Sequence, residues 1–302
     1  MIEVENLTKR YGYITAVKNI SLELNQGEVL GLIGPNGAGK TTTLKTIVGL
    51  VVPDSGRILI DNINPFMDPR IKRIIGYVPE IPQTPEWATV CSFLENLGLL
   101  EGLSQVEARR RARQALEEFG VGDLCNRKLK MTSKGQRKRI LLAQSLLVDK
   151  KYMILDEPIS GLDPEWVVHV RNKILEWARS GVGVLVSSHI LKELQDVVDR
   201  VVIIAKGKKV FEGTLQELGA IAGVSGVVII VTPSAGEAAK VLEAEGIKTI
   251  SVTGRVVKVQ IGEETNPKKI LEILDEKDIQ VEGFEYREAS LEEAYLKLVR
   301  GG

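Results

Sequence analysis

The sequence predicts an α/β fold: a core with antiparallel N-terminal strands and an inserted helical subdomain, plus a small α+β, ferredoxin-like C-terminal domain. Short β-branched runs alternate with helical patterns in the first part of the chain, and a helical stretch at about 87–148 interrupts them. A segment rich in Gly and small residues, 213–226, then precedes a regular β-α-β-β-α-β pattern. At ~100 to 200 residues per domain, we expect two domains, 1–215 and 216–302.

The opening segment is predicted to form strands, because its β-branched runs are separated by turn signals such as Asn25-Gln26-Gly27. These runs are Ile2 to Leu7, Val17 to Leu24 and Val29 to Ile33. Farther along, Ser104 and Glu107 have the spacing of a capping box ahead of an Arg-rich amphipathic stretch. This pattern indicates the helical subdomain.

Strands and helices alternate again after the helical subdomain. Tyr152 to Leu155, Val182 to Val186 and Val201 to Ala205 read as strands, and Pro164 marks a helix start. The order strand, helix, strand favours a largely parallel sheet that is buried on both faces.

The C-terminal domain is predicted to be ferredoxin-like because its elements follow the order β-α-β-β-α-β. The predicted elements are strand Val227 to Thr232, helix Ala235 to Ala244, strands Ile247 to Val252 and Val256 to Ile261, helix Pro267 to Glu276 and strand Ile279 to Tyr286.

The composition excludes several classes of protein. Lys and Arg number 40 and so do Asp and Glu, so no specific nucleic-acid partner is expected. The longest apolar runs, Ile47 to Val52 and Gly226 to Val231, fall far short of the ~18 residues of a membrane span, and the N-terminus lacks a signal peptide. A cytoplasmic protein is therefore expected. Cys91 and Cys125 are interpreted as packing residues, neither zinc ligands nor a disulfide.

A phosphate-binding loop with the pattern G-x-x-x-x-G-K-[ST] lies between an apolar strand and a helical pattern. It comprises Gly34, Pro35, Asn36, Gly37, Ala38, Gly39, Lys40, Thr41 and Thr42. Backbone N–H groups of such a loop turn towards phosphates, Lys40 reaches the terminal phosphates, and the Thr41 hydroxyl is a ligand for Mg²⁺. The loop therefore predicts a P-loop NTPase core that binds ATP and Mg²⁺.

Two carboxylates follow the apolar strand Tyr152 to Leu155. A buried strand that ends in this way delivers an Asp to Mg²⁺ and a Glu to the attacking water. We therefore expect Asp156 to hold the metal and Glu157 to act as general base or to orient the water.

These motifs resemble those of ATP-binding-cassette (ABC) ATPases over about residues 1–215. The resemblance also rests on Ser160-Gly161-Leu162-Asp163, on Ser187-Ser188-His189 and on Thr132-Ser133-Lys134-Gly135-Gln136, which takes the place of that family's LSGGQ signature. It implies that Ser133, Gly135 and Gln136 of one copy meet the ATP held by a second copy, and hence a homodimer.

The same resemblance implies roles for three further residues. Tyr11 resembles the aromatic that stacks on adenine, and Asp163 the residue that links the two sites across the dimer. His189 is similar to the histidine that contacts the γ-phosphate and orients the water, which makes it catalytic together with Glu157 and Lys40. Tyr13 is close enough to Tyr11 that either aromatic could instead be a packing residue.

Two positions depart from the family pattern. Glu80 stands where a Gln normally contacts Mg²⁺ or water, so an oxygen ligand is kept, and Lys134 replaces the first glycine of the signature. Both substitutions, and the tail Ala289 to Leu298, resemble a subset of exporter ATPases that are encoded apart from their membrane subunit.

The leading hypothesis is therefore an ATP-hydrolysing ABC transporter subunit. It would dimerise around two ATP, power export through a separate integral membrane permease, and lie peripherally on the inner face of the cell membrane. The alternative is a soluble ABC ATPase that acts on ribosomes or DNA, although such chains usually carry two cassettes or long insertions. A monomeric kinase or GTPase would leave Thr132 to Gln136 unexplained.

Overall fold

The structure is a computed structural model that describes residues 1–81, 84–221, 226–261, 266–288 and 291–301. These residues form two compact units, Met1–Glu212 and Gly213–Gly301. The predicted boundary segment 213–226 and the tail from Ala289 lie partly outside the described residues.

The first unit mixes strands and helices. In chain order its strands are β1 (Ile2–Tyr11), β2 (Ile14–Leu24), β3 (Val29–Ile33), β4 (Ser55–Ile60), β5 (Ile75–Val78), β6 (Tyr152–Leu155), β7 (Gly183–Ser188), β8 (Arg200–Ala205) and β9 (Lys208–Gly213). Its α-helices are α1 (Lys40–Ile47), α2 (Val90–Leu100), α3 (Gln105–Glu118), α4 (Lys134–Gln144) and α5 (Pro164–Arg179). The strands β4, β5 and β9 were not predicted.

A six-stranded sheet in the order β5-β6-β7-β3-β8-β9 forms the centre of this unit. The pairs β5–β6, β6–β7, β7–β3 and β3–β8 are parallel, and every residue of β3, β6 and β7 is buried, as the continuous apolar runs predict. Because these strands are parallel, the segments that follow Ile33, Leu155 and Ser188 lie at one edge of the sheet. That edge carries the chemistry described below.

A second, antiparallel sheet in the order β2-β1-β4 confirms the predicted antiparallel N-terminal strands. Its apolar face joins the core, where Ile2, Leu7 and Ile20 are fully buried.

The helices α2, α3 and α4 occupy the predicted helical stretch, and short 3₁₀ turns connect α3 to α4. Ser104 caps α3 by accepting a hydrogen bond from the Glu107 N–H at 3.3 Å. A full capping box is formed at α4, where the Ser133 hydroxyl accepts from the Gln136 N–H and the Gln136 side chain accepts from the Ser133 N–H.

The prediction that the cysteines are unpaired packing residues is wrong, because Cys91 and Cys125 form a disulfide. Their sequence separation of 34 residues conceals a close approach, in which the Cys91 N–H donates to the Cys125 carbonyl at 3.0 Å and the Cα atoms lie 4.7 Å apart. The bridge fastens the start of α2 to the segment that leads into α4.

The second unit confirms the ferredoxin-like prediction. Its elements are α6 (Leu215–Ile221), β10 (Gly226–Val231), α7 (Ala235–Ala244), β11 (Lys248–Thr253), β12 (Val256–Ile261), α8 (Pro267–Glu276), β13 (Gly283–Glu288) and α9 (Leu291–Gly301). The sheet order β11-β12-β10-β13 is antiparallel throughout, and Val228, Ile230 and Leu242 are buried in its core. The last strand begins at Gly283, four residues later than predicted, because residues 277–282 form the connection from α8.

Among the described residues, none of the helices combines the length and apolar character that crossing a bilayer requires.

The disulfide generates a prediction about stability. Replacing both Cys91 and Cys125 by Ser should lower the free energy of unfolding of the first unit by about 2–4 kcal/mol, because a cross-link restricts the unfolded chain. Guanidinium titration followed by circular dichroism measures this. The parent protein in reductant should match the double variant, and equal stability of the oxidised parent and the variant would contradict the prediction.

Candidate active site

The phosphate-binding loop runs from the end of β3 to the start of α1, and its backbone leaves no room for side chains at two glycines. A Cβ on Gly34 would collide with the Ile204 carbonyl oxygen. Gly39 has a φ of +105°, and a Cβ there would lie 2.5 Å from the Ala16 carbonyl oxygen. The buried Ala38 and the Pro35 carbonyl, 3.4 Å from Lys40 Nζ, complete the loop.

Lys40 is buried at the first position of α1, and its ammonium has two close partners. Its Nζ donates to the Gly34 carbonyl at 2.7 Å and lies 3.2 Å from Glu157 Oε1. The loop therefore presents a fixed positive charge directly beside the carboxylate that follows β6. A phosphate bound in the loop would also contact the Lys40 ammonium, which suits its negative charge.

Asp156 is fully buried, and two hydroxyls hold its carboxylate. Thr41 Oγ1 donates to Oδ2 at 2.7 Å and Ser187 Oγ donates to Oδ1 at 2.6 Å. Ser187 also accepts the Glu157 N–H at 3.0 Å, so the ends of β6 and β7 are fastened together. The resulting cluster of hard oxygens fits Mg²⁺, which prefers such ligands.

Glu157 joins the loop to His189. Its Oε2 lies 2.8 Å from His189 Nδ1, and because a carboxylate can only accept, Nδ1 carries the proton in this contact. The Glu157 backbone has a φ of +50°, a left-handed conformation that side chains rarely adopt. The backbone bend aims the carboxylate across the sheet edge, between Lys40 and His189.

The turn that carries His189 is itself held. Ser188 Oγ donates to Glu193 Oε2 at 2.6 Å and accepts the Ile190 N–H at 3.0 Å. Arg171 of α5 donates to the Glu193 carbonyl at 2.9 Å. These bonds fix the direction in which the imidazole projects.

A cleft of about 410 Å³ opens above these groups. It is lined by Tyr11, Ala16, Asn36, Gly37, Gly39, Lys40, Thr41, Thr42, Glu80 and Glu157. The structure thus brings Tyr11 and Glu80 to the phosphate-binding loop, whereas Tyr13 is fully exposed at the β1–β2 turn. Lys9 Nζ lies 5.6 Å from the centre of the Tyr11 ring and further orients it.

The signature residues lie outside the lining of this cleft. Ser133 caps α4, Gly135 and Gln136 belong to its first turn, and Asp163 precedes α5. The exposed Lys134 faces Gly161 across the gap between the two helix starts. The predicted site residues of one copy therefore form two separate groups, one around the phosphate-binding loop and one at the starts of α4 and α5.

Sequence reasoning assigned no role to Ser187, although it lies in the Ser187-Ser188-His189 motif, and it missed Lys138. Lys138 is buried on α4, and its Nζ lies 3.4 Å from the Glu80 carbonyl oxygen and 3.5 Å from that of Asp156. Burial lowers the pKa of Lys138 to about 8, although the carboxylates of Asp156, Glu80 and Glu157 raise it. The sequence signal for Lys138 was its position one helical turn after Lys134, on the helix that carries the signature residues.

Comparisons with known proteins fit this geometry. A family model described as "ABC transporter" matches residues 17–160, and one described as "ATP-binding protein DrrA1-3-like, C-terminal domain" matches residues 213–299. The uncharacterized ABC transporter ATP-binding protein YxlF of Bacillus subtilis is 39% identical over 218 residues, 72% of this chain and 72% of YxlF. The lipopolysaccharide export system ATP-binding protein LptB of Escherichia coli (strain K12) is 35% identical over 221 residues, 72% of this chain and 92% of LptB.

Solved structures match a similar share of this chain, at lower sequence identity. A structure of an ATP-binding subunit of an ABC transporter is 32% identical, with a TM-score of 0.67 over 72% of this chain and 91% of that chain. A dimeric structure of a post-hydrolysis state of the ATP-binding cassette MJ0796, bound to ADP and Pi, is 26% identical, with a TM-score of 0.66 over 71% of this chain and 98% of that chain.

The loop glycines generate a prediction that separates backbone strain from steric collision. Gly37→Ala should cost about 1–2 kcal/mol of stability, because its φ is +80° but its Cβ meets open space. Gly39→Ala should cost at least about 1 kcal/mol more, because its Cβ also meets the Ala16 carbonyl. Chemical unfolding without nucleotide measures both, and equal losses would contradict the assigned collision.

Proposed function

Because the chain belongs to the ATP-binding subunits of ABC transporters, we propose that two copies close around two ATP and drive export through a separate integral membrane permease. The chain is an ATPase of this family. The observation that carries the proposal is the array Lys40–Glu157–His189 beside Thr41 and Asp156, at the sheet edge where the phosphate-binding loop begins.

Lys40 and the loop N–H groups bind the β- and γ-phosphates and stabilise the negative charge that develops on them. Tyr11 stacks on the adenine at the open end of the cleft. These contacts hold the γ-phosphorus above Glu157.

Glu157 takes the proton of the attacking water while the water oxygen bonds to the γ-phosphorus and the bond to the bridging oxygen of ADP breaks. The Nδ1–H of His189 donates a hydrogen bond to Glu157 and keeps its proton. Nε2 of this tautomer has a free lone pair, so it orients the attacking water beside the γ-phosphate by accepting a hydrogen bond from it. The Ser188–Glu193 contact keeps this imidazole in place.

Thr41, Asp156 and Glu80 are the residues that would hold Mg²⁺, since all three offer hard oxygens at the cleft or its floor. When bound, the metal ion offsets the negative charge of the phosphate oxygens. The Thr41–Asp156 hydrogen bond keeps these two ligands together.

The second copy supplies the other side of each site. Ser133, Gly135 and Gln136 at the start of α4 reach the γ-phosphate held by the partner, and Asp163 connects the two sites. The placement of these residues away from their own cleft supports this assignment, as does the dimeric form of the similar cassette MJ0796.

We assign residues 1–215 to the ATPase domain and 216–302 to an accessory domain, a division supported by the two compact units. Glu80, Lys134 and the similarity to an export-system subunit favour export. In this proposal the protein lies in the cytoplasm, on the inner face of the membrane, bound to its permease.

The Glu157→Gln variant tests the proposed function. ATP hydrolysis should fall at least about 10²-fold, because the water loses its proton acceptor, while ATP binding persists. Size-exclusion chromatography with light scattering should then show an ATP-dependent dimer of a 33.2 kDa chain. Hydrolysis at the parent rate, or a monomer at high protein concentration, would refute the proposal.

The matched control is Lys40→Ala, which removes the phosphate contact and should abolish both ATP binding and the dimer. Unchanged nucleotide affinity in this variant would refute the assignment of the loop.

The permease is tested by purifying a tagged copy from membranes. We expect an associated protein with several apolar segments of about 20 residues each. Recovery of ribosomes or DNA in its place, with salt-sensitive binding, would favour the alternative class of soluble ABC ATPases.

A further inference from the structure

Lys138 is a buried cation that the proposed hydrolysis does not use. Only 7% of its surface is exposed, although it lies on α4, one turn after the exposed Lys134. Removing an ammonium from water costs several kcal/mol unless nearby groups compensate it. The contacts that compensate the buried Lys138 ammonium therefore indicate what this side chain does.

The groups around Lys138 belong to residues that we propose as metal ligands in the same copy. Its Nζ contacts the main-chain carbonyls of Glu80 and Asp156, which come from two different segments, and the carboxylates of both residues and of Glu157 stabilise its charge. Glu80 also lines a cavity of about 520 Å³ together with Lys138 and Ser160. Lys138 therefore contacts the backbone of two of the three proposed metal ligands, and its helix carries the signature residues.

A second buried lysine shows what a structural ion pair looks like in this chain. Lys173 of α5 is 8% exposed and has two close carboxylates, Glu118 at 2.8 Å and Glu176 at 2.7 Å. Lys138 instead makes two longer contacts to main-chain oxygens on separate segments. Its contacts span elements that must keep a fixed separation if both metal ligands are to serve one ion.

We propose that Lys138 is a positioning residue that joins the signature helix α4 to the metal ligands Glu80 and Asp156 of the same copy. The inference rests on the proposed function, since it takes Glu80 and Asp156 as metal ligands.

The test compares Lys138→Met with Lys173→Met in the full chain. For Lys138→Met, kcat should fall about tenfold with KM for ATP nearly unchanged, a loss typical of groups that support metal ligands. A second effect is measured by titrating each variant with a fluorescent ATP analogue, once with Mg²⁺ and once with EDTA. The affinity with EDTA should equal that of the parent, whereas the increase in affinity that Mg²⁺ causes should fall by a similar factor.

Lys138→Arg keeps the charge and the donors and should recover most of both losses. Lys173→Met should lower stability in chemical unfolding and leave kcat and the Mg²⁺-dependent gain as in the parent. Should Lys138→Met fail to fold, Lys138→Gln, a neutral donor, replaces it under the same criteria.

The assignment is overturned if Lys138→Met and Lys138→Gln keep the parent kcat and Mg²⁺-dependent gain, or if Lys173→Met shows the same losses. In either case Lys40→Ala still tests the proposed function independently, because its loss of ATP binding does not depend on Lys138.

Discussion

The carboxylate of Asp156 is the constraint on which the site depends. It is fully buried at the end of β6, where Thr41 from the phosphate-binding loop and Ser187 from β7 each donate a hydrogen bond to it. A buried carboxylate without such donors would be costly, so the three segments must meet. Their meeting in turn follows from the parallel pairing of β3, β6 and β7, which brings the carboxyl ends of these strands to one edge. The fold and the chemistry are thus set by the same pairing.

Much of the fold can be predicted from local sequence patterns, because a fully buried strand requires a continuous apolar run. The continuous apolar runs at Val29 to Ile33 and Tyr152 to Leu155 predict buried parallel strands, and the C-terminal element order predicts the ferredoxin-like sheet. β5 and β9 escaped prediction because their four and six residues carry no distinctive alternation. In the phosphate-binding loop the pattern itself marks the constraint, since Cβ atoms at two of its glycines, Gly34 and Gly39, would collide with backbone carbonyl oxygens.

What the sequence could not predict depends on contacts between distant segments. Cys91 and Cys125 are predicted to be unpaired because two cysteines with no CxxC partner and no nearby His form no recognisable framework, but a main-chain contact brings them together. Lys138 lies in a basic stretch that resembles a solvated helix face, and only the packing of α4 against the end of β6 shows that it is buried. The roles of Tyr11, Glu80 and the signature residues remain predictions, although the structure places Tyr11 and Glu80 in one cleft.

The left-handed backbone at Glu157 carries a consequence of its own. This conformation favours Gly or Asn, so the residue proposed to accept the proton occupies a position that a glutamate holds at an energetic cost. A Gly or Asn at this position would relieve the backbone strain but would remove the carboxylate that we propose accepts the proton. Under the proposed mechanism, the glutamate at this bend therefore lowers the stability of the fold while it provides the proton acceptor.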